Sequence, residues 1–300
     1  MKIDTTEKWL PVYEALGSDV RLKIIGLLSE REMNIKELAD ALHLSSAIMT
    51  MHVKKLEKAQ IVKSLRINKN GAVQKLCSLD VDYIEILFPN KNTDTRQFHE
   101  FSIPVGHYTD ISVTPTCGIA SSEKIIGHFD DPRYFLDTER VNAQILWFGE
   151  GYVEYKIPNY LLSVDQPEEL EISMELSSEA PGVNNTWPSD ITFSLNSIKI
   201  GMWTSPGDFG GKRGKYTPEW WRLDVGQFGI YKSIHINGDG TFIDGIKVSE
   251  IKLADLDIRQ NYWTFRISVL PESEHVGGVT IFGKGFGNYD QDIIFKLYYK

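Results

Sequence analysis

Residues 34–64 read NIKELADALHLSSAIMTMHVKKLEKAQIVKS, and their spacing decides the N-terminal fold. Asn34 with Glu37 three positions on has the form of a capping box, and it opens a helix carrying Ile35, Leu38 and Leu42. A break at His43 and Leu44 is followed by a second start at Ser45 or Ser46. Met49, Val53 and Leu56 then form the inward stripe of the next helix. Two short helices joined by a turn of about three or four residues make a helix-turn-helix.

Outward on the N-terminal side, Ser18 fits an N-cap, and Val20, Ile24, Leu27 and Leu28 follow with the spacing of an amphipathic helix. On the C-terminal side, Ile61–Ile67 reads as a strand and Asn68-Lys69-Asn70-Gly71 as a hairpin turn. Ala72–Leu79 is then the returning strand. Helix, turn, helix and basic hairpin describe a winged helix, in which the second helix fits the DNA major groove while the hairpin follows the backbone. The charge is placed accordingly. The chain carries a net −9, yet Ser45–Lys75 holds Lys54, Lys55, Lys58, Lys63, Arg66, Lys69 and Lys75 against the single acid Glu57. Such a stretch is either an anion-facing patch or a solvated charged face.

These residues resemble the ArsR-type winged-helix transcriptional regulators. The resemblance is carried by LGSDVRLKIIGLL, by NIKELADALHLSSAIMTMHVKKLEKAQIVKS and by the wing RINKNGAVQKLCSL, about 80 residues in all. It implies that Ser45, Ser46, Ala47, Thr50 and Met51 face the groove, that His52, Lys54 and Lys55 lie near phosphates, and that Arg66, Lys69 and Lys75 extend the contact along the wing. His52 has a second reading as a packed core histidine, and Met51 as a residue facing the protein. The resemblance also implies a homodimer through terminal helices, here Glu7–Leu16 and Tyr83–Phe88, on a palindromic double-stranded DNA operator. The metal-sensing cysteines of many such proteins are missing from KELADAL, and DYIEILF lacks their histidines, so no metal is expected.

Pro89–Glu100, PNKNTDTRQFHE, is polar and aperiodic and reads as a linker between a domain of residues 1–88 and one of residues 101–300. Beyond it the period changes to two, in Val153–Ile157, Ile172–Leu176, Ile191–Leu195 running on to Met202, Phe265–Val269 and Phe295–Tyr299. The chain is therefore expected to be α+β and multidomain, a winged helix-turn-helix followed by an antiparallel β-sandwich of jelly-roll type. The phrases PTCG, IGHFDDPRYF, NNTWPSDITF, SPGDFGGKRGKYTPEWW and FGNYDQDI resemble the companion domain of some ArsR-type regulators from Gram-positive bacteria, a resemblance that brings no ligand with it.

A ligand is suggested instead by the indoles. Trp187, Trp203, Trp220 and Trp221 fall close together, with Asp190, Asp208 and Arg213 among them. Flat apolar faces beside forked polar groups suit a saccharide, so Trp187, Asp190, Trp203, Asp208, Arg213 and Trp220 are the effector-binding candidates. The alternative is that these tryptophans plug the core, as expected for Trp147, Trp221 and Trp263. The acids Asp130, Asp131, Glu171, Glu175, Asp190, Asp208 and Glu219 show no spacing that singles out a catalytic pair, and no cupin, phosphate-loop or Gly-x-Ser-x-Gly signature occurs, so no enzyme is expected. A sugar-processing enzyme with a DNA-binding head, and a sandwich serving only as a dimerisation or partner-docking module, remain the alternatives.

Apolar content of 42% and charge of 24% belong to an ordinary globular protein. MKIDTTEKWLPVYEALG has no apolar signal core and no apolar run reaches membrane-spanning length, so a cytoplasmic location without a membrane partner is expected. Cys77 and Cys117 are too isolated for a disulfide framework or a zinc site, and no cofactor is expected.

Overall fold

The computed structural model describes residues 1–69, 72–81, 83–88 and 96–300. The chain divides into two compact units, Met1–Thr95 and Arg96–Lys300.

The first unit runs β1 (Lys2–Asp4), α1 (Leu10–Leu16), α2 (Asp19–Glu30), β2 (Met33–Asn34), α3 (Ile35–Ala41), α4 (Ser46–Lys58), β3 (Val62–Lys69), β4 (Ala72–Leu79) and β5 (Glu85–Leu87). The helix starts follow the sequence. Asn34 Oδ1 accepts from the Lys36 and Glu37 amides, both at 2.9 Å, while Glu37 Oε2 accepts from the Asn34 amide at 2.7 Å. Ser45 Oγ accepts from the Ile48 amide at 3.3 Å. Ser18 takes the extended N-cap conformation, but its side chain makes no cap bond.

The ends of α3 and α4 use left-handed residues that are not glycine, His43 (φ 53°) and Gln60 (φ 57°). The amide of Leu44 reaches Ala39 O at 2.9 Å and that of Ile61 reaches Leu56 O at 3.0 Å, the closures of two Schellman motifs. A side chain in this conformation carries strain, so Gln60→Gly is expected to raise the unfolding free energy of this unit by up to about 1 kcal/mol, measured in urea. No change would mean that the turn is relaxed as it stands.

Leu38, Met49, Val53 and Leu56 meet Ile24, Leu28, Ile61 and Cys77 in one buried cluster, beneath a sheet of order β2-β4-β3. The wing tip residues Asn70 and Gly71, and the side chain of Lys69, lie outside the described residues. One element differs from the resemblance. Residues 85–87 form no helix but a strand parallel to β1, pairing Lys2 with Glu85 and Asp4 with Leu87. A segment this short, with β-branched Ile84 and Ile86, gains little as an isolated helix and more from a strand partner.

The second unit holds β6 (Gln97–Ile103), β7 (Asp110–Ala120), β8 (Ile125–Ile126), β9 (Ile145–Pro158), β10 (Pro167–Ser177), β11 (Ser189–Leu195) and β12 (Ile198–Ser205). It continues with β13 (Ile230–Asn237), β14 (Gly240–Ile243), β15 (Ile246–Ser249), β16 (Tyr262–Val269), β17 (Val279–Phe282) and β18 (Ile293–Tyr299). β6 begins inside the stretch expected as linker, because residues 97–100 already pair with β18.

All pairings in this unit are antiparallel. One layer reads β12-β11-β16-β9-β7-β8 and the other β15-β14-β13-β10-β18-β6, with β17 as the corner strand that joins β9 to β10. Alternate side chains of both layers fill the core, where Phe265 of one meets Phe295 of the other edge to face at 5.4 Å. The run expected from Ile191 to Met202 is broken at Asn196 and Ser197 (φ 49° and 67°), a two-residue hairpin turn without glycine. Asn196 is fixed there by bonds to Leu256 O at 2.7 Å and from the Thr264 amide at 2.9 Å.

Candidate nucleic-acid interface and β-domain cleft

Met49, Val53 and Leu56 turn α4 inward, which leaves Ser46, Ala47, Met51, Lys54 and Lys55 exposed on its outer side. Met51 is 52% exposed, so it faces away from the core. Ser45 is exposed at the N-cap, and the Thr50 hydroxyl donates to Ser46 O at 2.7 Å along the helix. Arg66 is exposed on the wing. Two of the expected phosphate contacts are engaged inside the protein. Lys75 bonds Glu57 at 2.7 Å, and this bond, with one from Ser64, holds the Glu57 carboxyl below its usual range despite its burial.

His52 is half-buried, with Nδ1 3.5 Å from the Arg21 guanidinium. Burial first, and the charge of Arg21 second, lower its pKa, so the ring is neutral near pH ~7 and offers no charge to a phosphate. Arg21 is itself buried, donating to Ala15 O at 2.7 Å and Glu14 O at 2.5 Å, the last carbonyls of α1.

In the β-domain, the segments around Thr116, Asp130, Trp147, Glu179 and Trp221 enclose a cleft of about 320 Å³. Its aromatic wall is continuous. Phe129 lies 5.5 Å from Trp147, and Trp147 lies 5.7 Å from Trp221 at an interplanar angle of 69°. Gly118 permits this, because a Cβ there would stand 2.3 Å from the Trp147 ring.

The polar side of the cleft is acidic. Asp130 Oδ1 accepts from the Cys117 amide at 2.9 Å, and Glu179 Oε2 accepts from the Thr280 hydroxyl at 2.9 Å. Burial first, then the charge of Asp208, push the Glu179 carboxyl well above the usual range. Asp208 lies directly behind the wall. It is 0% exposed, accepts from the Ala180 amide at 3.3 Å through Oδ2, and has no partner for Oδ1. Burial lifts its pKa to about 7. A Cβ on Gly226 would stand 2.7 Å from that oxygen, so only glycine allows the cleft wall to close over it. Among the described residues no group of three or more His, Cys, Asp or Glu has the geometry to hold a metal ion. Among them, too, no helix is long and apolar enough to cross a membrane.

Of the residues expected at an effector site, Asp208 borders this cleft and Trp220 stands at its margin, 39% exposed and 5.4 Å from Trp221. Trp220 donates its indole N–H to Ser122 O. Arg213 points instead into its own loop, donating to Pro218 O and, at 2.9 Å, to Trp221 O. Trp187, Asp190 and Trp203 do not line the cleft. Asp190 is buried against the Thr204 hydroxyl at 2.7 Å and the His275 amide at 3.0 Å, and Trp203 lies against the core under Lys232, whose Nζ is 4.3 Å from the ring.

Sequence reading missed Glu179, Phe129, Thr116 and Thr280, and it assigned Trp147 and Trp221 wholly to the core. Both are nearly buried, at 5% and 4% exposure, yet both line the wall. PTCG and IGHFDDPRYF were the available signals, since they carry Thr116, Gly118, Phe129 and Asp130.

The sequence profile of the bacterial regulatory protein arsR family matches residues 18–64. The uncharacterized HTH-type transcriptional regulator MJ0229 of Methanocaldococcus jannaschii is 32% identical over 85 residues, which are 26% of this chain and 90% of that protein. Among solved structures, reduced HlyU from Vibrio cholerae aligns with 24% of this chain and 73% of its own at 20% identity and a TM-score of 0.22. The carbohydrate-binding module CBM36 in complex with calcium and xylotriose aligns with 67% and 98% at 10% identity and a TM-score of 0.28. With the profile lying on α2 to α4 and a relative matched along nearly its whole length, the chain belongs, through its N-terminal domain, to the arsR family of bacterial regulatory proteins.

Proposed function

We propose that the chain is a cytoplasmic, homodimeric repressor that binds a palindromic operator and releases it when a small effector, in the first instance a saccharide, enters the β-domain cleft. The observation that carries the DNA half is the outer side of α4, where Ser46, Ala47, Met51, Lys54 and Lys55 are exposed above a fully buried stripe. Ser45, Ser46, Ala47, Thr50 and Met51 read base edges, and Lys54, Lys55, Arg66 and Lys69 contact phosphates. His52 and Lys75 support the surface from within. Leu10, Tyr83, Ile86 and Phe88 are exposed apolar residues of the first unit and supply dimer contacts.

Lys54→Ala is expected to weaken operator binding and to reduce the slope of log affinity against log salt by about 1. Titrations at several salt concentrations check this, and an unchanged slope removes Lys54 from the phosphate contacts.

The effector half rests on the indole wall beside carboxylates, the combination that grips a sugar's C–H face and its hydroxyl pairs. Repression is relieved if the effector prefers the released form, and a coupling of about 1–3 kcal/mol changes operator affinity roughly 5- to 150-fold. Turnover of chromogenic glycosides that vanishes in Glu179→Gln would replace sensing with catalysis.

A further inference from the structure

The acids of the cleft stand close to one another without a counter-charge. Several carboxylates elsewhere on the β-domain face cations: Glu154 meets Arg266 at 2.8 Å, Glu169 meets Arg96 at 2.9 Å and His235 at 2.7 Å, and Asp244 bonds Lys232, while the isolated Glu175 is held by backbone amides. In the cleft the partners are neutral throughout. Glu179 has the Thr280 and Thr116 hydroxyls, Asp130 has the Cys117 amide, and Asp208 has the Ala180 amide and one oxygen with nothing. No Lys, Arg or His is among the described residues lining the cleft.

We propose that the cleft takes an organic cation, a protonated amine on a carbon skeleton the size of one amino sugar. This deepens the reading of the cleft as the effector site and rests on it. Desolvated carboxylates without a counter-charge are costly, and the buried Glu179 and Asp208 relieve the cost by holding protons. A neutral sugar leaves that condition unchanged, and an anion aggravates it. An ammonium group supplies the missing charge to Glu179 and Asp130, with Asp208 adding its field from behind the wall. Phe129, Trp147 and Trp221 supply aromatic lining beside the acids, the kind of surroundings in which organic cations are held. The volume of about 320 Å³ is at the small end for ligand sites, which range over roughly 300–1,000 Å³, and so fits one ring rather than a chain.

Binding of the amine drives protons off the acids. The groups facing Glu179 are Asp208, Asp130 and the two threonine hydroxyls, with the Cys117 thiol nearby, and proton release falls to Glu179 and Asp208.

The test uses the full chain, with thermal shift and calorimetry against glucosamine, choline and spermidine, and against the uncharged glucose and N-acetylglucosamine and the anionic glucuronate. The proposal expects an amine to bind at least about tenfold tighter than its uncharged counterpart and to release protons near neutral pH, read as a buffer-dependent binding heat. Glu179→Gln is expected to remove most of that preference. Asp130→Asn, which keeps the acceptor for Cys117, carries the test should the first variant fail to fold. A neutral sugar that binds as tightly as the amines, and is lost in Trp147→Ala, overturns the cation while leaving the effector site intact. If no amine and no sugar in the set binds in a Trp147-dependent way, both readings fall together.

Discussion

Glu175→Ala is expected to remove most of the stability of the β-domain. The side chain is fully buried, and its carboxylate gathers three backbone amides from two loops. Oε1 accepts from Gly229 at 2.7 Å and Asn288 at 2.9 Å, while Oε2 accepts from Asn288 at 3.0 Å and Tyr289 at 2.9 Å. Burial raises the carboxyl to about 7, and the amides hold it from rising further. In the alanine variant all three amides lose their partner in a dry site, at about 1–3 kcal/mol each. Their sum, several kcal/mol, compares with a whole domain's roughly 5–15 kcal/mol. Urea unfolding monitored by tryptophan fluorescence measures the loss, and a deficit below about 1 kcal/mol would show that water or loop movement replaces the carboxylate.

The second large effect has the opposite sign and depends on pH. Burial lifts the Asp208 carboxyl from 3.8 to about 7, so between those values the folded chain holds a proton that the unfolded chain has released. Its contribution to stability is therefore complete below about pH 4, is lost as the pH rises through about 7, and is absent above that. The penalty above the folded pKa is on the order of 4 kcal/mol. Asp208→Asn keeps an acceptor for the Ala180 amide and cannot ionise. The variant is expected to melt higher than the parent at mildly alkaline pH, to converge with it in acid, and to respond less to the effector. A difference between the two proteins that does not vary with pH would exclude ionisation of Asp208 as its source.

Such a gain in stability from removing a charge would mark Asp208 as a residue that serves something other than folding. Its place in WTSPGDFGGKRGKYTPEWW could be read from the sequence, because turn residues and indoles surround it. Its partners could not. Glu179 follows β10 and Asp130 follows β8, so the acids converge only through the pairing of β7 with β9 and of β17 with both layers. Long-range antiparallel pairing leaves no local spacing to detect.

The winged helix was far more legible, since its caps, inward stripes and turns are all set within a few residues. Even there two points needed three dimensions. His52 is held neutral by burial and, second, by the charge of Arg21 thirty-one positions away, and residues 85–87 are a strand because β1 offers an edge. The indole count also misled in one direction, because near-total burial at Trp147 and Trp221 is compatible with lining a cleft.

The turn held by Arg213 has a consequence for how such a cleft diversifies. Its guanidinium fixes the backbone of Trp221 from eight positions upstream, through carbonyls that every residue type possesses. The wall's position is thus set in part by Arg213, while the Trp221 indole N–H adds its own bond to Gly226 O at 2.9 Å. Exchange of Trp221 for a phenyl ring would change the lining and also give up that bond, while the Arg213 bonds to backbone carbonyls remain possible. The cleft wall therefore accepts a different ring at position 221 only where another group takes up the Gly226 carbonyl.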